Sequence, residues 1–500
     1  VDMGDEISAS RYSAEERQRY REKVDLCLNV FERLLATWTF DDERAMTGLE
    51  MELNLVGPDH RPTLRNAAVL EGIGDPNFQT ELGAYNIELN VEPSPLSELA
   101  GTEQRLREVL NHAEQAANRH DAHIVMVGIL PTTMPEHLNQ PEWMTPSPRY
   151  KALNDSILAA RGENLHLDIH GNIHGERLST FASSLAPESA CTSVQLHVQV
   201  QPDDFARAWN AAQVLAGPQL AVGANSPFFF GRRLWAETRI ELFKQATDTR
   251  PQELQNQGVR PRVWFGEKWI SSIFDLFAEN GWYFPSLLPE LSDEDPVAVL
   301  DSGRAPTLQE LRLHNGTVYR WNRPIYAVAD GEPHLRVENR VLPAGPTVVD
   351  TVANAAFFHG ALRSLMDDAR PAWSKLSFAA AEENFLACAR DGLDATVYSP
   401  QLGQTGADEL VLRRLLPMAA EGLASAGVPG ADVDKYLGIV EHRVKTGLNG
   451  AAWQVAAVER LEQGTAGRSG MERAEALRRM VEQYCQGMHA NQPVHTWALP

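Results

Sequence analysis

Four stretches of the chain alternate apolar and polar residues with the period of two that defines a β-strand. Leu49-Glu50-Met51-Glu52-Leu53-Asn54-Leu55 puts Glu50, Glu52 and Asn54 on one side. Tyr85-Asn86-Ile87-Glu88-Leu89-Asn90-Val91-Glu92 presents Asn86, Glu88, Asn90 and Glu92. Val194-Gln195-Leu196-His197-Val198-Gln199-Val200 presents Gln195, His197 and Gln199, and Leu335-Arg336-Val337-Glu338-Asn339-Arg340-Val341 presents Arg336, Glu338 and Arg340. A face that is merely wet favours Lys, Thr and Ser. These strands have no Lys on that face and instead supply oxygen ligands, an imidazole and guanidinium forks. The pattern predicts a sheet with an apolar back and a polar face that lines a site. Ion pairing of the acids with Arg336 and Arg340 is the bland alternative for any one strand.

Other elements follow from periodicity and turn chemistry. Residues 12–40 read as a helix with Val24, Cys27, Leu28, Phe31, Leu34 and Leu35 on one stripe, expected on the apolar back of the sheet. Residues 97–120 and 203–217 read as helices and 123–128 as a strand, while 130–150, with five prolines, reads as a long ordered loop. Residues 318–324 read as a strand paired with 334–341 through Ala329-Asp330-Gly331-Glu332. Beyond about residue 350 the pattern is helical only. The expected organisation is a catalytic domain over 1–365 and a helical region over 366–500, packed on the former and joined by connectors too short to be tethers.

Composition narrows the partners. Across 500 residues, 67 Asp and Glu against 45 Lys and Arg give a net charge of −22, which disfavours nucleic acid or an anionic membrane as a general partner. The four cysteines are far apart, with no CxxC, and read as reduced thiols. No apolar run approaches the ~18 residues of a membrane span, so a soluble, cytoplasmic protein is expected, with homo-oligomerisation left open.

Glu50, Glu52, Glu88, His197 and Glu338 together suit two or three Mg2+ ions bridging nucleotide phosphates, with Mn2+ able to substitute. Arg232, Arg233, Arg239, Arg320, Arg323, Arg336 and Arg340 are enough guanidinium to hold phosphate and carboxylate. Neither GxxxxGK[ST] nor GxGxxG occurs, so a nucleotide would not be held by a P-loop or Rossmann turn. His166, Asp168, His170 and His174 could share a strand face, which keeps a zinc-dependent hydrolase as an alternative, although turn and core roles suit these histidines better.

Gly48-Leu49-Glu50-Met51-Glu52, Glu81 followed by Asn86-Ile87-Glu88-Leu89, Val194 to Gln199, Ala224-Asn225-Ser226-Pro227-Phe228 with Gly231 and Arg239, and Arg336-Val337-Glu338-Asn339-Arg340 occur in that order. Across roughly residues 45 to 360 the chain thereby resembles the glutamate-cysteine ligase family, in its bacterial carboxylate-amine ligase branch within the glutamine synthetase-like superfamily. The resemblance implies an α+β fold: a curved antiparallel sheet with a polar catalytic face, helices on its back, and a C-terminal all-α region. It also implies ATP and Mg2+ at one end of the site and an amino-acid acceptor at the other. On the family pattern Glu50, His197 and Glu338 would hold one metal, Glu52 with Glu88 another, and Glu81 a third. Arg340 and Glu338 would be catalytic, Arg340 on phosphate. Arg239 would take a substrate carboxylate, with Arg336, Gln199 and Arg323 as further substrate contacts. For Arg239 the sequence leaves a salt bridge to Glu237 or Glu241 equally open. The implied reaction is ATP-dependent joining of the γ-carboxylate of glutamate to an amine, cysteine first, through an acyl phosphate. Another acid or amine remains an alternative, because fold does not fix the acceptor.

Overall fold

The alternating stretches become the central strands of one antiparallel sheet in the computed structural model, which describes residues 12–40, 46–464 and 470–500. Its strands are β1 (Met46–Val56), β2 (Phe78–Thr80), β3 (Asn86–Pro95), β4 (His123–Val125), β5 (Val194–Gln199), β6 (Asn322–Ala329) and β7 (Glu332–Asn339). The order across the curled sheet is β6-β7-β5-β1-β3-β2, with β4 beside the end of β1. β6 and β7 are joined where Asp330 (φ 53°) and Gly331 (φ 85°) both take the left-handed conformation a two-residue hairpin turn requires.

Register fixes which side chains meet. Glu52 lies opposite Glu88, and Glu50 lies between Asn90 on one neighbour and Gln195 on the other. His197 lies between Gly48 and Glu338, and Glu338 is in turn opposite Arg323. The intervening residues Met51, Leu53, Ile87, Leu196 and Val337 point to the back and are fully buried. At roughly 25 cal/mol per Å² of apolar surface, this one-sided burial is what holds the register, since a slip of one residue would exchange the faces.

The opening helix α1 (Ala14–Thr37) begins in a capping box of Ser13 and Glu16. It reaches the back of the sheet, its expected place, only at the edge strand β6, through Phe31 against Tyr326. It packs on the helices Ile273–Tyr283, Pro296–Asp301 and Gln309–Gly316, with Phe31 edge-on to Phe277 and Tyr326. The back is covered instead by α2 (Phe205–Gly223) and a later helix, both of which are buried nearly all round, whereas α1 has a single apolar stripe. The polar seam of α2 closes this layer: Trp209 Nε1 donates to Asn322 O at 2.9 Å and Gln219 Nε2 to Asn339 Oδ1 at 2.9 Å. The segment read as a proline-rich loop contains a helical turn, Pro135–Leu138, and leads into the helix Pro148–Arg161. Pro135 and Pro148 stand in the first turns of these two helices, where their missing N–H is harmless.

Next come α3 (Thr238–Ala246) and the second back-covering helix, α4 (Val348–Asp367). The tail adds α5 (Phe378–Asp391), a helical run over 407–425, α6 (Gly430–Thr446), α7 (Gly450–Gln463) and α8 (Arg473–Ala490). Contrary to the all-helical expectation it also contains a hairpin, Thr396–Ser399 with Gly403–Gly406. Residues on both sides of position 365 share one hydrophobic core. Arg443 of α6 forms a buried ion pair with Asp350 of α4 at 2.7 Å. Asn225 donates to Tyr484 Oη of α8 at 2.8 Å and accepts from Gln454 of α7 at 2.8 Å, so the tail grips the segment that leads into α3. Among the described residues no helix is long and apolar enough to cross a membrane.

Candidate active site

The polar face of the sheet, β6 and His334 of β7 included, lines a cavity of about 570 Å³, and residues between 312 and 321 add to its lining. Two clusters of potential ligand groups lie in it, with the atoms of each within 4.8 Å of one another: Glu50, His197 and Glu338, and Glu52, Glu81 and Glu88. Strand alternation alone predicts five of the six. Glu81 arrives from the turn before β3 and joins Glu52 and Glu88, where the family pattern set it apart at a third ion. A Cβ on Gly48 would stand 3.3 Å from His197 Cβ, so glycine keeps the neighbouring position open for the imidazole.

In the first cluster, His197 Nε2 approaches Glu50 Oε1 at 3.1 Å without hydrogen-bond alignment, and both ring nitrogens and that oxygen lack a hydrogen-bond partner. Three such buried atoms without partners are costly unless something else satisfies them, and an oxygen-and-imidazole set converging at this range fits a divalent cation. Glu338 is differently placed. Arg323 grips it with Nε at 2.5 Å and Nη2 at 3.0 Å, and Arg340 Nη1 donates to it at 2.7 Å and to Gln195 Oε1 at 2.7 Å. The ion-paired alternative is therefore realised at Glu338, but through Arg323 and Arg340 rather than Arg336. Burial opposes ionisation of Glu338, yet Arg323, Arg340 and His197 hold its carboxyl well below the usual range. Burial of Glu50 is likewise outweighed, by His197 and then Arg340, and its pKa is lowered.

The second cluster moves the other way. Glu52 accepts from Ser193 N at 2.6 Å and Glu88 accepts from Asn90 Nδ2 at 3.0 Å, but neither has an ion-pair partner among the described residues. Burial and then Glu81 push Glu52 up to about 7. Burial raises Glu81, and burial followed by Glu81, Glu50 and Glu52 raises Glu88 far more. Three carboxyls this close cannot all ionise without an added cation.

The predicted substrate contacts divide. Arg336 lines the cavity, where burial lowers its pKa, and its Nε lacks a partner, so it has capacity for an anion. Arg323 and Arg340 also line it, committed to Glu338 as described. Gln199 stands opposite Arg336 in register but is half-exposed and outside the cavity lining. Arg239 reaches the cavity from the first turn of α3, yet its Nε donates to Glu237 Oε1 at 3.2 Å, Nη1 to Arg340 O at 3.4 Å and Nη2 to Val341 O. The Glu237 pairing was the open alternative. It forms at i−2 because Glu237 is the non-helical residue just before α3, with φ −122° and ψ 75°. Arg239 thereby anchors the backbone at Arg340.

His166, Asp168, His170 and His174 do not converge on a metal. They lie on a separate exposed hairpin, Leu165–His170 with Arg177–Ala182. Asp168 is taken by Arg177 through two bonds of 2.8 Å, His166 stacks on Phe181, and His174 lies beyond the strand end. The hydrolase alternative loses its geometric basis, because the strand places the group on the surface rather than around a shared point.

Strand patterns did not point to Glu188, on the short helix Ala186–Ser189. It lines the cavity, and burial followed by Glu81 and Glu52 pushes it up to about 8. Arg312, Tyr319 and Trp321 complete the lining, and on β7 burial, then Arg336, holds His334 down at about 4.

A family model for glutamate-cysteine ligase family 2 (GCS2) matches residues 46–483, which extends the likeness well beyond position 360 and through most of the helical tail. Among solved structures, the fold is similar to a glutamate-cysteine ligase (gshA) from Francisella tularensis in complex with AMP. That likeness has a TM-score of 0.55 and 12% identity, over 91% of this chain and 90% of that one. It is also similar to a bifunctional glutathione synthetase from Pasteurella multocida, with a TM-score of 0.50 and 11% identity, over 94% of this chain and 54% of that one. No curated protein sequence matches the chain significantly.

Proposed function

Since this chain belongs to glutamate-cysteine ligase family 2 and is an ATP-dependent carboxylate-amine ligase, we propose that it joins the γ-carboxylate of glutamate to the amine of cysteine through an acyl phosphate, at the two-cluster face of the sheet. The observation that carries this reading is the pair of three-ligand clusters on one cavity wall with Arg323, Arg336 and Arg340 between and beside them. Glu50, His197 and Glu338 would hold one Mg2+ and Glu52, Glu81 and Glu88 another, and the ions would supply charge neutralisation for phosphoryl transfer. Arg336, whose Nη1 is bonded to His334 Nε2 at 3.1 Å, offers its unpartnered Nε to a phosphate oxygen. Arg340, held in place by Gln195 and by the Arg239 anchor on its own carbonyl, aims a guanidinium at the charge that develops on the transferring group.

An ADP-release screen over pairs of amino acids with Mg2+ tests this. ADP release that requires glutamate and cysteine together is expected. Release only with another acid or amine would replace these substrates, and no release with any pair would remove the proposal.

A further inference from the structure

Glu188 is a carboxylate with no assigned work. Its Oε2 is shielded from solvent and has no hydrogen-bond partner, and the residue makes no salt bridge among the described residues. The cation that acts on it electrostatically, Arg340, is already committed to Glu338 and Gln195. Nor is Glu188 one of the three ligands in the neighbouring acid cluster. A buried carboxylate oxygen left this way is costly unless a ligand supplies a donor, and a charged donor repays most. The surrounding wall fits an organic cation. Tyr319, Phe243 and Trp321 line the same cavity, Phe243 meeting the other two at ring-centroid distances of 5.4 and 5.9 Å. Aromatic faces attract ammonium groups, and a strongly hydrated metal ion gains less there.

The geometry points to Glu188 as the anchor for the ammonium of the incoming amine substrate and as the acceptor of the proton that nitrogen must shed. This rests on the acyl-phosphate reading of the site. In the step, Glu188 enters ionised, because the ammonium and the cations on Glu81 and Glu52 offset the burial and the charges that raise its pKa. An N–H proton of R–NH3+ passes to its Oε2, and the freed lone pair forms the C–N bond at the acyl carbon. The carbon–oxygen bond to phosphate breaks, and phosphate leaves with its electron pair and takes the second N–H proton from the new amide nitrogen as HPO4 2−. The substrate class is thus a primary amine that is cationic at neutral pH, small enough to sit against Tyr319 and Trp321.

Hydroxylamine, which is uncharged at neutral pH, gives a nucleophile that needs no such anchor, so the experiment compares it with amines in wild type and Glu188→Gln. Wild type should form hydroxamate from the acid substrate and ATP, and wild type making none with any acid would dispose of the acyl-phosphate reading itself. Given that reaction, Glu188→Gln should raise the amine KM tenfold or more while the hydroxamate rate changes less than threefold and the KM of the acid stays put. Ammonium chloride as the amine should lose as much if a bare cation suffices, and less if the aromatic wall contributes. Equal loss with hydroxylamine, a rise confined to the KM of the acid, or a Mn2+ ion lost from the variant in equilibrium dialysis would each overturn the assignment.

Discussion

Glu338 and Glu88 share one face of the same sheet, equally buried and each within coordinating range of two further ligand groups. Glu338 is neutralised from within the protein, by Arg323 and Arg340, and is held well below its ordinary pKa. Glu88 faces Glu81 and Glu52, has no cationic partner among the described residues and accepts from the amide of Asn90, and is pushed far above. The difference separates two kinds of acidic cluster. The first has its Glu338 charge neutralised by arginines and leaves only Glu50 and His197 atoms for a cation to satisfy, whereas the second is electrostatically incomplete and is completed by whatever cation it receives. In the proposed reaction both would be needed, but only the second should couple metal binding strongly to stability.

The largest expected contrast comes from removing one charge on each side. Glu338→Gln and Glu88→Gln should both lower ADP release by a thousandfold or more. Their urea midpoints should diverge: Glu338→Gln leaves two guanidinium groups without their carboxylate and should lose about 3 kcal/mol, whereas metal-free Glu88→Gln should be as stable as wild type or more so. Equal destabilisation of the two would erase the distinction.

The pH dependence of metal-free protein sharpens it further. A carboxyl raised to about 7 from its ordinary value of 4.5, as at Glu52, disfavours the folded state above pH 7, and that penalty is relieved as pH falls through 7 toward 4.5. Glu52→Gln should therefore exceed wild type in stability by up to about 3 kcal/mol at pH 8 and lose the advantage near pH 5. Saturating Mg2+ should cancel the difference by stabilising wild type alone, as followed by thermal melts at each pH.

Arg239→Lys tests a smaller effect. With the fork committed to Glu237 and to the carbonyls of Arg340 and Val341, the change should lower stability by about 2 kcal/mol and reduce turnover for every substrate pair. A rise in one amino-acid KM with unchanged melting would return Arg239 to direct substrate binding. Smallest of all, His166→Ala and His170→Ala should leave melting and turnover unchanged, since the hairpin that carries them is exposed and separate from the cavity.

Much of the sheet was legible because one physical constraint, a dry back and a chemically used front, stamps a period of two on β1, β3, β5 and β7. The hairpin at Asp330 and Gly331 was legible from turn chemistry. What alternation could not reveal were groups delivered from irregular backbone. Glu188 sits on a helix too short to show a period, and Glu81 reaches its cluster from a turn. The Arg239 pairing depended on whether the helix begins at 237 or 238, a boundary that sequence patterns resolve poorly. The 396–406 hairpin was hidden by its brevity, and the placement of α1 by competition for the back of the sheet, which α2 and α4 win.

Each acid cluster should take one divalent cation. Equilibrium dialysis of Mn2+ against the full chain with a non-hydrolysable ATP analogue tests it most directly, using His197→Ala and Glu88→Gln as paired controls. The account predicts two ions per chain in wild type and one in each variant, with loss of the second cluster's ion in Glu88→Gln also removing the metal-dependent rise in melting temperature. Two ions retained in both variants, or none bound by wild type, would contradict it.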